Sequence, residues 1–142
     1  MKLVIAPYNG VGPLTFGMSQ EEVVEAMGPP QRITKARSGN PILWYDDLNA
    51  ILEDQRLVEI GLAPVAPAVI HGIQPFLDPD ALDKLCKLDG DAREVLGSIV
   101  LRNLGVSLGG FHDGDESQKG ITAFVRGRWD VLEPEMKQFP GL

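Results

Sequence analysis

GVGPLTFGMSQEEVVEAMGPP, residues 10–30, is the stretch from which the fold is read. Ser19 is a favoured N-cap and Glu22 stands three positions on, so hydroxyl and carboxylate can satisfy each other's backbone N–H groups as a capping box. Met18, just before the cap, is placed to staple onto Val23. Val23, Val24 and Met27 make one apolar stripe while Gln20, Glu21 and Glu25 fall elsewhere on the helix, and Gly28 followed by Pro29 and Pro30 ends it. The stretch predicts a short strand, at residues 14–16, turning into a short capped helix.

Working outward, residues 2–6 form an apolar, β-branched run that reads as a first strand. After Pro30, strands are expected at residues 32–36, 42–45, 48–52 and 57–62, with turn chemistry at 38–41, at Asp46-Asp47 and at 53–56. The first half is therefore one helix against an antiparallel meander. Residues 63–68, APVAPA, hold two prolines that favour extended backbone and read as a semi-rigid connector.

The second half follows the same plan. Residues 70–76 read as a strand, Asp78 as an N-cap with Pro79 at the first helical position, and Leu77 as a staple onto Leu82. The helix carries Leu82, Leu85 and Leu88 to Gly90, and Asp91 with Glu94 proposes one further helical turn that stops near Gly97. Strands are expected at 98–101, 105–111, 121–125 and 129–132, with a long polar reversal at 112–120. The two caps lie 59 residues apart, and the additions in the second copy fall at 91–97 and 112–120. The expectation is an α+β protein built by tandem duplication, with a first repeat at residues 1–65 and a second at 66–142, each a short helix packed on an antiparallel β-meander.

Composition bounds the function. The chain has 142 residues, 44% of them hydrophobic and 23% charged, which suits a globular domain. Its net charge of −7 divides as −3 over residues 1–70 and −4 over 71–142, so the whole molecule is mildly anionic. Nucleic acid and anionic membranes are disfavoured as partners, because a phosphate surface needs clustered Lys and Arg. A basic protein is the natural electrostatic partner, met by a monomer or homodimer. One cysteine, Cys86, leaves no internal disulfide and no cysteine-rich metal site, and no apolar run is long enough for a signal peptide or a membrane span. A cytoplasmic protein is expected.

Catalysis needs titratable groups that converge. His71 heads an apolar strand, where a satisfied structural histidine is expected. His112 opens HDGDES, placing imidazole, Asp113, Asp115 and Glu116 close together. That loop fails as an EF-hand, because Gln118 stands where the glycine belongs, and as a zinc site, because no second histidine or cysteine is near. Cys86 lies on the face of Leu82 and is expected in the core, and the glycines at 10, 12 and 17 match no phosphate-loop spacing. No catalytic residue, metal or cofactor is expected. The remaining lead is aromatic: Trp44 and Tyr45 are adjacent and so face opposite sides of a strand, and Phe111 ends its strand before the acidic loop. The candidate partner surface is Tyr45, Asp46 and Asp47 from the first half with Phe111, His112, Asp113, Asp115 and Glu116 from the second.

Residues 16–30, F-G-M-S-x-E-E-V-x-x-x-M-G-P-P, resemble the strand-to-helix segment of small bacterial α+β modules: the BamE-like lipoproteins, the β-lactamase-inhibitor-type repeat and many immunity proteins of polymorphic toxin systems. The chain departs from the lipoproteins in having no lipobox cysteine. The resemblance implies a helix-on-sheet fold and a preference for binding proteins, and it carries over no functional residue. The expectation is a non-enzymatic immunity or inhibitor protein that neutralises a toxin or enzyme partner. Its rivals are a small hydrolase or metal-dependent enzyme using His112, Asp113 and Asp115, and an assembly subunit of a larger complex.

Overall fold

The β-branched run near the start forms β1 (Leu3–Ala6), which reverses into β2 (Gly10–Val11) and then β3 (Leu14–Thr15). These come from a computed structural model, which describes residues 2–111 and 119–139. The β2–β3 reversal is so tight that a Cβ on Gly10 would fall 2.0 Å from the Leu14 carbonyl oxygen. Helix α1 (Gln20–Met27) follows, and its start is the expected capping box: Ser19 Oγ accepts from the Glu22 N–H at 3.2 Å, and Glu22 Oε1 accepts from the Ser19 N–H at 3.0 Å. Those bonds from Ser19, its backbone N–H first, hold the Glu22 carboxyl below its usual range. Val23 is fully buried, with Met18, Val24 and Met27 partly buried beside it.

Four antiparallel strands come next, β4 (Arg32–Lys35), β5 (Pro41–Trp44), β6 (Leu48–Glu53) and β7 (Arg56–Leu62), each paired with its neighbour in sequence. Strand β8 (Ala68–Val69) pairs in parallel with β1 and completes a small sheet of order β3-β2-β1-β8. Helix α2 (Ala81–Asp89) then leads into β9 (Arg93–Val95), β10 (Ser98–Leu101), β11 (Val106–Gly109) and β12 (Gly120–Phe124), again antiparallel in sequence order. The last strands of the two meanders pair, with Gly61 opposite Thr122 and Ile60 opposite Ala123. With β13 (Lys137–Gln138) outside β9, the main sheet runs β13-β9-β10-β11-β12-β7-β6-β5-β4. The fold is α+β.

Alternation decides the faces. Along β6, Leu48, Ala50 and Leu52 are buried while Asn49, Ile51 and Glu53 are only half-buried. The buried set joins Leu43, Ile60, Ile99, Leu108 and Ile121 from other strands, Val23 and Leu85 from the helices, and Leu3, Ile5 and Val11 from the small sheet in one core. Phe124, Val95, Val100 and Met136 make a second, smaller core, against which Tyr8, Trp129 and Leu132 pack. Among the described residues no helix is long and apolar enough to cross a membrane.

Asp89, at the end of α2, is 5% exposed. Its Oδ1 accepts from the N–H groups of Asn103 and Leu104, both at 2.9 Å, and its Oδ2 from that of Asp91 at 3.2 Å. Asn103 Nδ2 donates in return to the Asp89 carbonyl at 2.7 Å. This exchange ties the helix end to the β10–β11 turn.

Several local expectations are corrected. The helical turn expected at 91–97 is the β9–β10 hairpin: Gly90 ends α2 in the left-handed region, and the Asp91 carboxylate accepts from Arg93 Nε at 2.8 Å instead of capping a helix. The strand expected at 129–132 is a 3-10 helix, Asp130–Glu135, containing Pro134, which cannot donate to a ladder. The strand expected at 70–76 does not form: the strand here, Ala68–Val69, lies before it, at the end of the expected connector, and Ile70 and Ile73 bridge across a tight turn in which His71 (φ 47°) and Gly72 (φ 79°) are left-handed. His71 is exposed there, not a buried structural histidine. Asp78 does not cap α2: its carboxylate accepts from the Gln74 N–H at 3.0 Å, the helix begins two residues later, and Leu77 is left 75% exposed.

Candidate binding trough on the open sheet face

Cross-strand register puts one row of side chains across both meanders: Arg32, Trp44, Asn49, Gly61, Thr122, Ser107 and Val100 face one another in turn from β4 to β10. Each lies one residue away from a core position, so the row belongs to the face opposite the main core. Over its middle lies a shallow trough of about 400 Å³. The floor is made by small residues, among them Gly61, Thr122 and the Gly109–Gly120 pair, and the trough reaches Ser98 on β10 at one side and Trp44, Tyr45 and Asp46 at the other. Five strand spacings separate those sides, roughly 24 Å.

Trp44 stands between β4 and β6. The Arg32 guanidinium lies 4.7 Å from its ring centroid, and its Nε1 donates to Thr34 Oγ1 at 2.7 Å. Asn49 lays its amide over Gly61, where a Cβ would come within 2.7 Å of Oδ1, and that oxygen is buried without a donor. Ser107 is 5% exposed. Two residues before Ser98, the β9–β10 hairpin turns at Leu96 (φ 51°), which is 79% exposed, and Gly97 (φ 80°).

The chain matches no family model, no curated protein and no solved structure. Its chemistry is therefore read from these residues alone.

The expected surface residues separate. Tyr45 and Asp46 border the trough. The Tyr45 hydroxyl donates to the Gly28 carbonyl at 2.9 Å, tying the β5–β6 turn to the end of α1, and burial raises its pKa. Asp46 is exposed and accepts from Gln31 Nε2. Asp47 ties the β5–β6 turn to the end of β7 through its backbone, its carbonyl accepting from the Ala63 N–H at 3.0 Å. Phe111 is a correction: it is 8% exposed and stacks against Phe76 at 5.9 Å, so its ring is core and not a surface contact. His112, Asp113, Asp115 and Glu116 lie outside the described residues.

Asn49, Gly61, Ser107 and Thr122 escaped the sequence reading. Their signal was the alternation itself. In LNAILE and RLVEIGL the outward positions hold an amide and a glycine where branched residues would favour a strand. Cys86 is buried as expected, and burial, followed by Asp89 and Asp83, pushes its thiol up to about 11.

Proposed function

We propose that this chain is a protein-binding module, an immunity or inhibitor protein that neutralises a basic toxin or enzyme partner. The observation that carries this reading is the open trough across the β7–β12 seam, with the acidic turn of Asp46 and Asp47 beside it and the exposed Leu96 hairpin beyond its far side. A surface this wide and shallow suits a protein partner better than a small substrate, which is normally enclosed on most sides. Rim carboxylates on a chain of net charge −7 would speed encounter with a basic surface.

Tandem duplication accounts for such a seam. Each helix is followed by four strands in the same order and direction, and the fourth strands pair with each other. A second likeness supports it: in both halves a side chain from the turn between the second and third strands donates to a carbonyl at the helix end, Tyr45 to Gly28 and Asn103 to Asp89.

The test is binding to the proteins encoded beside this one, at low and high salt, for the wild type and an Asp46→Asn/Asp47→Asn variant. The expected result is a complex whose association slows with salt and slows again in the variant. Absence of a complex, or an association rate indifferent to both, overturns the reading.

A further inference from the structure

The two edges of the main sheet differ. At one end β13 is two residues long, and a strand that short gives another chain little to pair with. At the other end β4 runs Arg32–Lys35 without a proline and pairs only with β5. Two bonds show which of its backbone groups are taken. The Ala36 N–H donates to the Asn40 carbonyl at 2.9 Å, in step with the pairs Thr34–Ile42 and Arg32–Trp44. On the far side of β5 the Tyr45 N–H donates to the Leu48 carbonyl at 2.9 Å, in step with Leu43–Ala50. Backbone groups alternate sides along a strand, so Arg32 and Thr34 bond to β5, while Ile33 and Lys35 turn their N–H and C=O groups away from the sheet. Among the described residues nothing pairs with that outer row.

The side chains along this edge carry one sign. Residues 26–45 hold three cations, Arg32, Lys35 and Arg37, and no carboxylate, in a chain whose net charge is −7. All three are exposed, Arg32 rests on the Trp44 ring, and among the described residues none of the three meets a carboxylate. Ile33, in their midst, is 51% exposed. Charges of one sign guard an edge against its own kind, because two copies of β4 laid side by side would bring all their cations onto one seam. The same charges favour a strand of the opposite sign, and Ile33 offers that strand an apolar contact.

We propose that β4 takes up an extended acidic segment of a protein as an added strand of the main sheet. Laid antiparallel, the sequence Glu-Thr-Val-Glu sets its first glutamate opposite Lys35, its threonine opposite Thr34, its valine opposite Ile33 and its second glutamate opposite Arg32. Its valine and first glutamate then exchange backbone bonds with Ile33 and Lys35, and Arg37 adds to the attraction. This edge lies one strand beyond the trough and carries the opposite charge, so the proposal stands independently of the reading above. The full chain, ¹⁵N-labelled, is titrated separately with acetyl-Ser-Glu-Thr-Val-Glu-Ser-amide, with the same peptide N-methylated at its valine, and with acetyl-Ser-Lys-Thr-Val-Lys-Ser-amide. The acidic peptide should shift the Ile33 and Lys35 amide signals saturably, slow their exchange with solvent, and bind more weakly at high salt. Methylation removes the donor to the Ile33 carbonyl and should weaken binding about tenfold. The lysine peptide should bind more weakly by about tenfold or more. Lys35→Glu with Arg37→Glu changes two exposed side chains, so that variant should keep the thermal stability of the wild type and bind the acidic peptide about tenfold more weakly. Equal binding of the methylated or the lysine peptide, shifts confined to other parts of the chain, no saturable shift, undiminished binding by the double variant, or a free chain that sediments as a dimer with both amides already protected would each overturn the acidic-strand proposal.

Discussion

Replacing Asp89 with alanine removes the acceptor of three backbone N–H groups at once. The Leu104 N–H is buried, so its loss carries the full desolvation penalty, about 1–3 kcal/mol. The N–H groups of Asn103 and Asp91 are partly buried, where water can replace part of the bond, and each contributes about 0.5–1.5 kcal/mol. Relief of a desolvated carboxylate offsets some of this, leaving an expected loss of about 3 kcal/mol. Asp89→Asn should lose only about 1 kcal/mol, because its remaining oxygen can keep the two bonds now made to Oδ1. Urea unfolding followed by tryptophan fluorescence measures both variants. The pH dependence adds a sign. Burial, outweighing the three hydrogen bonds, raises the Asp89 pKa above the ordinary carboxylate value. A group raised in the folded state gives its full stabilisation below its unfolded pKa and loses it as pH rises through the folded value. The wild type should therefore lose stability relative to Asp89→Asn as pH climbs from about 4 through the acid range. An alanine variant within about 0.5 kcal/mol of the wild type, or an asparagine variant as weak as the alanine one, would refute the internal-cap reasoning.

Leu96 occupies a left-handed position that asparagine adopts more readily, so Leu96→Asn should raise stability by about 1 kcal/mol in thermal unfolding, although it removes an apolar side chain. Arg128 donates to Glu59 at 2.8 Å and to Glu53 at 2.7 Å, tying the turn after β12 to the β6–β7 hairpin; Arg128→Met leaves the mostly buried Glu59 unpaired and should cost about 2 kcal/mol in urea unfolding. Cys86 should resist thiol-specific labelling of the native chain at pH 8 and react at the ordinary rate once unfolded, because its thiol is buried and pushed up to about 11.

The capping box at Ser19 was legible because its chemistry is local: hydroxyl, carboxylate and the two N–H groups they satisfy all lie within four residues. The meander strands were legible for the same reason, since alternation and turn residues are short-range signals. Misreadings came where a competing neighbour, equally close in sequence, claimed the residue. Asp78 has the chemistry of an N-cap, but the Gln74 N–H takes its carboxylate. Asp91 likewise pairs with Arg93 instead of starting a helical turn. Tyr45 and Asp46 were found because they sit in a recognisable turn. Asn49, Ser107 and Thr122 become neighbours only once β7 pairs with β12, and no local pattern announces a pairing between residues some sixty positions apart.

That pairing also sets how the chain can be divided. A cut in the connector between β7 and β8 would leave a first fragment whose final strand has lost its neighbour, with Ile60 and Leu62 along a naked row of backbone donors and acceptors. The second fragment would carry the matching raw edge on β12. Such pieces are templates for strand exchange: mixed, they can rejoin, and kept apart, each is driven to pair with another copy of itself or to aggregate. The edge that makes the two halves one sheet is the edge neither half can safely show alone.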